Sequence, residues 1–226
     1  MAWPRATIAF VTHIAFIGGT GPEGKGLAYR FALAGHEITI GSRKAERAAE
    51  AAIEVAGHAS GATVRGVENA DAAQNADLIV LTVPHTAQPA SLPALNDLVN
   101  GKIVVSTGVP MEFAGGRASI VALPEGSAAE QAQALLPDAR VIGAFQNLGA
   151  AKLWKDGSSL DQDVIVCGDE DEAKQTVMKL SEEIAGVRAV DGGVLANARY
   201  VEGITALLVS VNRNYKKTTG VRIAGL

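Results

Sequence analysis

Apolar and polar residues alternate along this chain in two rhythms. Short, nearly continuous apolar runs, of the kind found in strands covered on both faces, are separated by longer stretches whose apolar residues recur at helical spacing. The run "HIAFIGG" (His13–Gly19) comes first. It is followed by "GKGLAYRFALAG", which places Leu27 beside Phe31 and Ala28 beside Ala32 and ends at Gly35. "HEITIGS" (His36–Ser42) predicts a second strand, "AERAAEAAIEVAG" a helix ending at Gly57, "ATVRGV" a weak third strand and "NADAAQNA" a short helix capped by Asn69. "DLIVLTVP" (Asp77–Pro84) carries the strongest strand pattern of all. Beyond it, "PASLPALNDLVNG" predicts a helix in spite of Pro89 and Pro93, "KIVVST" a fifth strand, "SAAEQAQALLPD" a helix and "ARVIGAFQN" a sixth strand. Strands and helices alternating at this spacing mean βαβ units wound into a parallel sheet with right-handed crossovers.

From about Asn147 the rhythm changes. "DVIVCGDEDEAKQTVMKLSEEIAG" reads as a strand, an acidic helix start and a long helix stopping at Gly186; "VRAVDGG" is one more strand. The acids Asp169, Glu170 and Asp171 suit a helix N-terminus and need no metal. The last helix, "LANARYVEGITALLVSVNRNY", gathers Tyr200, Ile204, Leu207, Leu208 and Val211 on one apolar face. The expected organisation is an α/β doubly wound parallel sheet over residues 13–146, a small α/β C-terminal domain over 147–226 and an N-terminal extension over 1–12.

Composition narrows the function. With 226 residues, 48% of them hydrophobic, the chain can bury a substantial core. A net charge of −4 gives no concentrated basic field for nucleic acid or an anionic membrane. The basic group Arg213, Lys216 and Lys217 sits at a helix end, where it complements the dipole. No apolar stretch reaches membrane-spanning length. The single cysteine, Cys167, cannot form an internal disulfide and fits a reducing cytoplasm; its apolar setting reads as a buried structural thiol. The four histidines are scattered without ligand spacing, so no metal is expected.

The glycines of "GGTGPEGKG" are the first candidate chemistry. Gly19, Gly21 and Gly24 follow a strand and open a helix, the setting in which such spacing allows a tight turn, lets backbone approach a pyrophosphate and packs helix against strand. Thr20, Pro22 and Glu23 complete the loop. At the end of the second strand an NAD site would place a carboxylate for the ribose hydroxyls. Here stand Ser42, Arg43, Lys44 and, one turn on, Arg47, with no acid before Glu46. Hydroxyl and guanidinium groups accept a 2′-phosphate, and cations at a helix start oppose its dipole unless a ligand compensates them. These residues favour NADP and an NADP-binding Rossmann fold.

The run "IAFIGGTGPEGKGLAYRFALAGHEITIGSR", followed in order by "LTVP", "IVVSTGVP", "VIGAFQN", "VCGDEDEAK", "VDGG" and "NARYVE", strongly resembles the NADPH-dependent coenzyme F420 reductases, also called F420H2:NADP oxidoreductases. The resemblance runs from His13 to the C-terminus. It implies hydride transfer between NADP(H) and the 8-hydroxy-5-deazaflavin F420, and a homodimer. By the same resemblance Thr20 and Gly21 contact the pyrophosphate, and Ser42, Arg43 and Arg47 surround the 2′-phosphate. Thr82, Val83, Pro84 and His85 then lie along the nicotinamide half. Gly108, Val109 and Pro110, with Gln146, Asn147, Leu148 and Ala150, line the cleft where nicotinamide meets deazaflavin. The helix after Asn197 closes over it. The chain departs from the family at Gln146 and Gly149, where members often carry His and Pro.

Hydride exchange between two cofactors asks for positioning and exclusion of water more than for an acid or base. No Ser-His-Asp arrangement and no HExxH motif is present. His85, at a strand's carboxyl end, is the one acid candidate and reads equally well as a packing residue. Gln146 and Asn147 either donate to the deazaflavin or tie down their loop. Trp154 stacks on a ring or packs at a rim, and Lys152, Lys155, Arg188 and Arg199 meet an anionic tail or serve as surface charge. Two rival functions stand beside F420 reduction: an NADP-dependent reductase of a small imine or carbonyl, with His85 or Lys152 as proton donor, and a non-catalytic NADP sensor.

Overall fold

A computed structural model describes residues 12–226 apart from Gly116 and Asp156. The expected N-terminal extension lies outside the described residues, except for Thr12.

Six parallel strands make the body of one sheet: β1 (His13–Ile17), β2 (Glu37–Ser42), β3 (Val64–Glu68), β4 (Leu78–Leu81), β5 (Ile103–Ser106) and β8 (Arg140–Gly143). Their order across the sheet is β3-β2-β1-β4-β5-β8, with strand order reversing between β1 and β4. Helices α1 (Pro22–Ala34), α2 (Ala45–His58), α3 (Asn69–Asn75) and α5 (Ala128–Leu135) cover its faces. The apolar runs follow from this arrangement: Ile14, Phe16, Ile38, Ile40, Val80 and Val105 point into one buried layer, and Ala15, Ile17, Ile79 and Val104 into the other. The close fit of α2 on the edge strand β3 needs Gly66. A Cβ there would stand 2.2 Å from the backbone of Ala48.

The chain beyond residue 146 does not build a sheet of its own. Strand β9 (Gln162–Gly168) pairs antiparallel with β8, and β10 (Val187–Asp191) pairs parallel with β9, extending the same sheet to eight strands with β3 and β10 at its edges. Helix α7 (Asp171–Glu182) joins them, and Glu170 caps it by accepting from the Ala173 N–H, so the acidic cluster serves the helix start. The C-terminal segment is tied back to the fully buried Asp163, which accepts from Arg188, Arg222 and the Ile223 N–H. These partners hold the Asp163 carboxyl below its ordinary range against the opposing effect of burial.

One expectation needs correction. The stretch around Pro89 and Pro93 is broken into a single turn, α4 (Gln88–Ser91), and a 3-10 segment (Pro93–Leu98) rather than one helix; each proline lacks the N–H that a continuous helix would use. The long helix α8 (Ala198–Tyr215) turns Ala198, Val201, Glu202 and Ala206 inward and leaves Tyr200 and Leu207 exposed, at 68% and 62%. Small residues lie against the body because the helix sits close to it, with the Ala198 Cβ 3.0 Å from where a side chain on Gly143 would begin. A two-stranded ribbon, β6 (Met111–Ala114) and β7 (Arg117–Ile120), was not expected; β7 packs against α8. Its sequence signal was the Gly115-Gly116 pair between two short stretches, "MEFA" and "RASI", that mix apolar and polar residues.

Candidate active site

The loop between β1 and α1 forms because side chains are excluded from it. A Cβ on Gly19 would lie 2.6 Å from the Phe16 Cβ, and one on Gly24 would lie 2.7 Å from the Gly19 Cα, so helix and loop touch backbone to backbone. Gly21 differs, since a Cβ there would meet nothing within 4 Å. Packing does not require this glycine, whereas close approach of a ligand does. No side chain caps the first turn of α1, and Pro22 occupies its start, leaving a helix N-terminus facing the loop.

A cleft of about 580 Å³ opens at the carboxyl ends of β1, β2 and β4, where strand order reverses. Thr20 and Gly21 line one wall, Thr82, Val83 and Pro84 another, and Ser42, Arg43 and Arg47 its far end. Thr82 is fixed by its own N–H and hydroxyl, both donating to the Ile17 carbonyl at 3.0 Å. Lys44, Asn69, Ala87 and Ser91 also line the cleft. The side-chain oxygen of Asn69 accepts from the Gly18 N–H at 3.2 Å. It therefore braces the phosphate loop instead of capping α3, whose first turn begins after Glu68.

Arg43, Lys44 and Arg47 are exposed, and none forms an ion pair with a described carboxylate. Three unpaired cations at the start of α2 are electrostatically costly unless an anion joins them. The donor set fits the 2′-phosphate of NADP.

Glu23 does not line the cleft. One of its carboxylate oxygens is buried without a partner, and burial pushes the carboxyl up to about 8, so it stands neutral beside the phosphate loop at neutral pH.

Comparison with known proteins agrees with this geometry. Residues 13–110 match the family model described as NADP oxidoreductase, coenzyme F420-dependent. The chain is 43% identical over 224 residues to the F420-dependent NADP reductase of Methanothermobacter thermautotrophicus, covering 96% of both chains. It is 42% identical over 220 residues to the enzyme of that name from Methanocaldococcus jannaschii, covering 94% of this chain and 98% of that one. This chain belongs to the F420-dependent NADP reductase family. Its cofactors are those of the family, NADP and coenzyme F420. A solved structure of a candidate F420-dependent NADP reductase from Arthrobacter sp. FB24 superposes with a TM-score of 0.81 at 26% identity, covering 94% of this chain and 99% of that one.

The segments that the sequence resemblance assigned to the deazaflavin, Gly108–Pro110 and Gln146–Ala150, follow β5 and β8. Gln146, Asn147 and Leu148 are all buried. Leu148 belongs to the hydrophobic core with Phe31 and Phe145. The Asn147 amide donates to the Val201 carbonyl and the Thr205 hydroxyl, both at 2.9 Å, so it ties down its loop. What remains without a partner is acceptor oxygen on Gln88, Gln146 and Asn147, and the hydroxyl of the fully buried Ser106. The Ser106 hydroxyl and the Gln88 amide nitrogen lie within 4 Å of the side-chain direction of Gly108. Ala150 opens the short helix α6 (Ala150–Leu153), which is held by the buried Arg30 through the carbonyls of Lys152, Leu153, Lys155 and Ser158.

Other candidates are accounted for. His85 starts a 3-10 turn and is not among the residues lining the cleft. Trp154 packs on His58 and Tyr29, with ring centroids at 4.5 and 5.5 Å, under the Lys25 ammonium. Arg188 is paired with Asp163 and Arg199 with Glu130. Cys167 is fully buried, and burial pushes its thiol up to about 11, which makes it inert. No group of three potential metal ligands occurs among the described residues, and no described helix is long and apolar enough to cross a membrane.

Proposed function

We propose that this chain transfers hydride reversibly between NADP(H), held in the cleft at the ends of β1, β2 and β4, and coenzyme F420, seated against Gly108–Pro110 and Gln146–Ala150. The full-length likeness to F420-dependent NADP reductases carries the reading, and the unpaired cations at the 2′-phosphate position support its NADP half. Bound nicotinamide and deazaflavin supply the carbons between which the hydride passes. The protein's part is to bring them to roughly 3–3.5 Å and exclude water. Thr20, Gly21 and the open N-terminus of α1 hold the pyrophosphate; Ser42, Arg43 and Arg47 grip the 2′-phosphate; Thr82–Pro84 support the nicotinamide. No side chain is required as acid or base, and His85 stands aside from the cleft. The segment 147–226, through α8, covers the deazaflavin half. The exposed apolar stripe of α8, with Tyr200 and Leu207, supports a homodimer in which a second copy covers it.

The test is anaerobic: purified protein with NADPH and oxidised F420, following loss of deazaflavin absorbance, with NADH in parallel. Rapid bleaching with NADPH and little with NADH is expected. Absence of bleaching with NADPH bound would overturn F420 as the acceptor, and turnover of a small imine or carbonyl would then identify the acceptor.

A further inference from the structure

Helix α5 begins inside the protein, beside the segment Gly108–Pro110. Ala128 and Ala129, at its first two positions, are completely buried, so their N–H groups have no water to turn to. The Glu202 side chain of α8 meets both. One carboxylate oxygen accepts from Ala128 at 2.9 Å and the other from Ala129 at 3.2 Å. The rest of that turn is closed by Ser127, whose hydroxyl accepts from the Glu130 N–H and whose carbonyl accepts from Gln131. Glu202 itself is 1% exposed. Next to Glu202 on α8 the Val201 carbonyl, and about one turn on the Thr205 hydroxyl, accept from the Asn147 amide, and the Thr205 hydroxyl donates to the Gln146 carbonyl. The same stretch of α8 is therefore bonded both to the start of α5, whose Ala128 side chain lies beside Gly108, and to Gln146–Asn147.

We propose that Glu202 is a positioning residue for the deazaflavin half of the site: its carboxylate locks α8 to the start of α5, and the locked helix sets the Gln146–Asn147 wall against the Gly108–Pro110 wall. The inference rests on the F420-reductase reading above. It goes beyond that reading by naming a residue that touches neither cofactor. The charged groups facing Glu202 are Glu130 on α5 and Arg199 on its own helix, with the Cys167 thiol on β9. Burial, aided by Glu130, pushes the Glu202 carboxyl up to about 7 against the two N–H groups and Arg199. Above that pH the lock is a carboxylate accepting two hydrogen bonds; below it, protonation removes charge from both.

Steady-state kinetics of wild type and Glu202→Gln, taken from about pH 5.5 to 8.5, test this. At the alkaline end the substitution should raise KM for F420 about tenfold, the scale expected for losing charge-assisted hydrogen bonds, while KM for NADPH stays within about twofold. The ratio of variant to wild-type KM should shrink toward one as pH falls through about 7; taking the ratio cancels any titration of the cofactors. Equal loss toward both cofactors, or a ratio that does not change with pH, overturns the proposal. If Glu202→Gln does not fold, amide exchange on the wild type decides: Ala128 and Ala129, corrected for intrinsic rates, should be strongly protected at the alkaline end, and fast exchange at both overturns the lock. A wild type that never reduces F420 sinks the F420 reading alone, because amide exchange still judges Glu202.

Discussion

Arg43 and Arg47 carry the clearest charge argument in the molecule, because no described carboxylate is paired with them. Each charge-assisted bond to a phosphate contributes about 1.5–3 kcal/mol. Arg43→Ala should accordingly raise KM for NADPH by about tenfold to a hundredfold while leaving KM for NADH nearly unchanged. Parallel titrations of the two nucleotides check this; equal losses for both would remove Arg43 from the 2′-phosphate site. Glu23 gives a second prediction. Its folded carboxyl is raised from 4.5 to about 8, so its contribution to stability is complete below the ordinary carboxylate range and is lost as pH rises through about 8. Melting temperature should decline between about pH 5 and pH 8 more steeply in wild type than in Glu23→Gln, and parallel curves across that range would refute the neutral acid. That the glycine loop and "GSRKAER" come together in one cleft was legible in the sequence. Asn69 was not: it read as a helix cap because nothing local reveals a bond to Gly18, 51 residues away. Arg30 and Glu202 were hidden for the same reason, since each acts on backbone groups that only the folded chain brings near.

Among the elements, those with one dominant pattern were read correctly and those with mixed signals were not. All six parallel strands stand where the sequence placed them; for all but the partly exposed edge strand β3 the reason is burial on both faces, which leaves no other solution for such apolar runs. The stretch with Pro89 and Pro93 carried helical spacing and helix breakers together, and the breakers prevailed. The apolar stripe of α8 was legible as a stripe, but its direction was not, since hydrophobicity alone cannot tell cover by this chain from cover by another. The contact of α2 with β3 supplies the test at this scale. Gly66→Ala would drive a methyl into the Ala48 backbone, and overpacking of this kind costs about 1–3 kcal/mol or more. Denaturant unfolding should show that loss, and affinity for NADPH should fall with it because α2 carries Arg47. Unchanged stability would mean that α2 can stand off from the strand at no cost.

For the molecule as a whole, the sequence read the change of rhythm near Asn147 as a boundary, whereas one sheet continues across it. A reversal of strand direction at β9 leaves no trace in an apolar run, which reads alike in either direction. Leu207→Glu tests what covers α8: light scattering should report the mass of a dimer for wild type and of a monomer for the variant, and a monomeric wild type would end the dimer proposal. The sheet's two edges bear on how such a dimer can be built. β3 presents Arg65 and Glu68, and the backbone of Ala189 on β10 already donates to the Glu182 side chain at 3.4 Å. Charged side chains and an occupied amide discourage another strand from docking there. Association should therefore proceed through side chains on a helix and stop at a closed pair, leaving concentrated solutions clear of the open-ended, amyloid-like growth that an unguarded sheet edge invites.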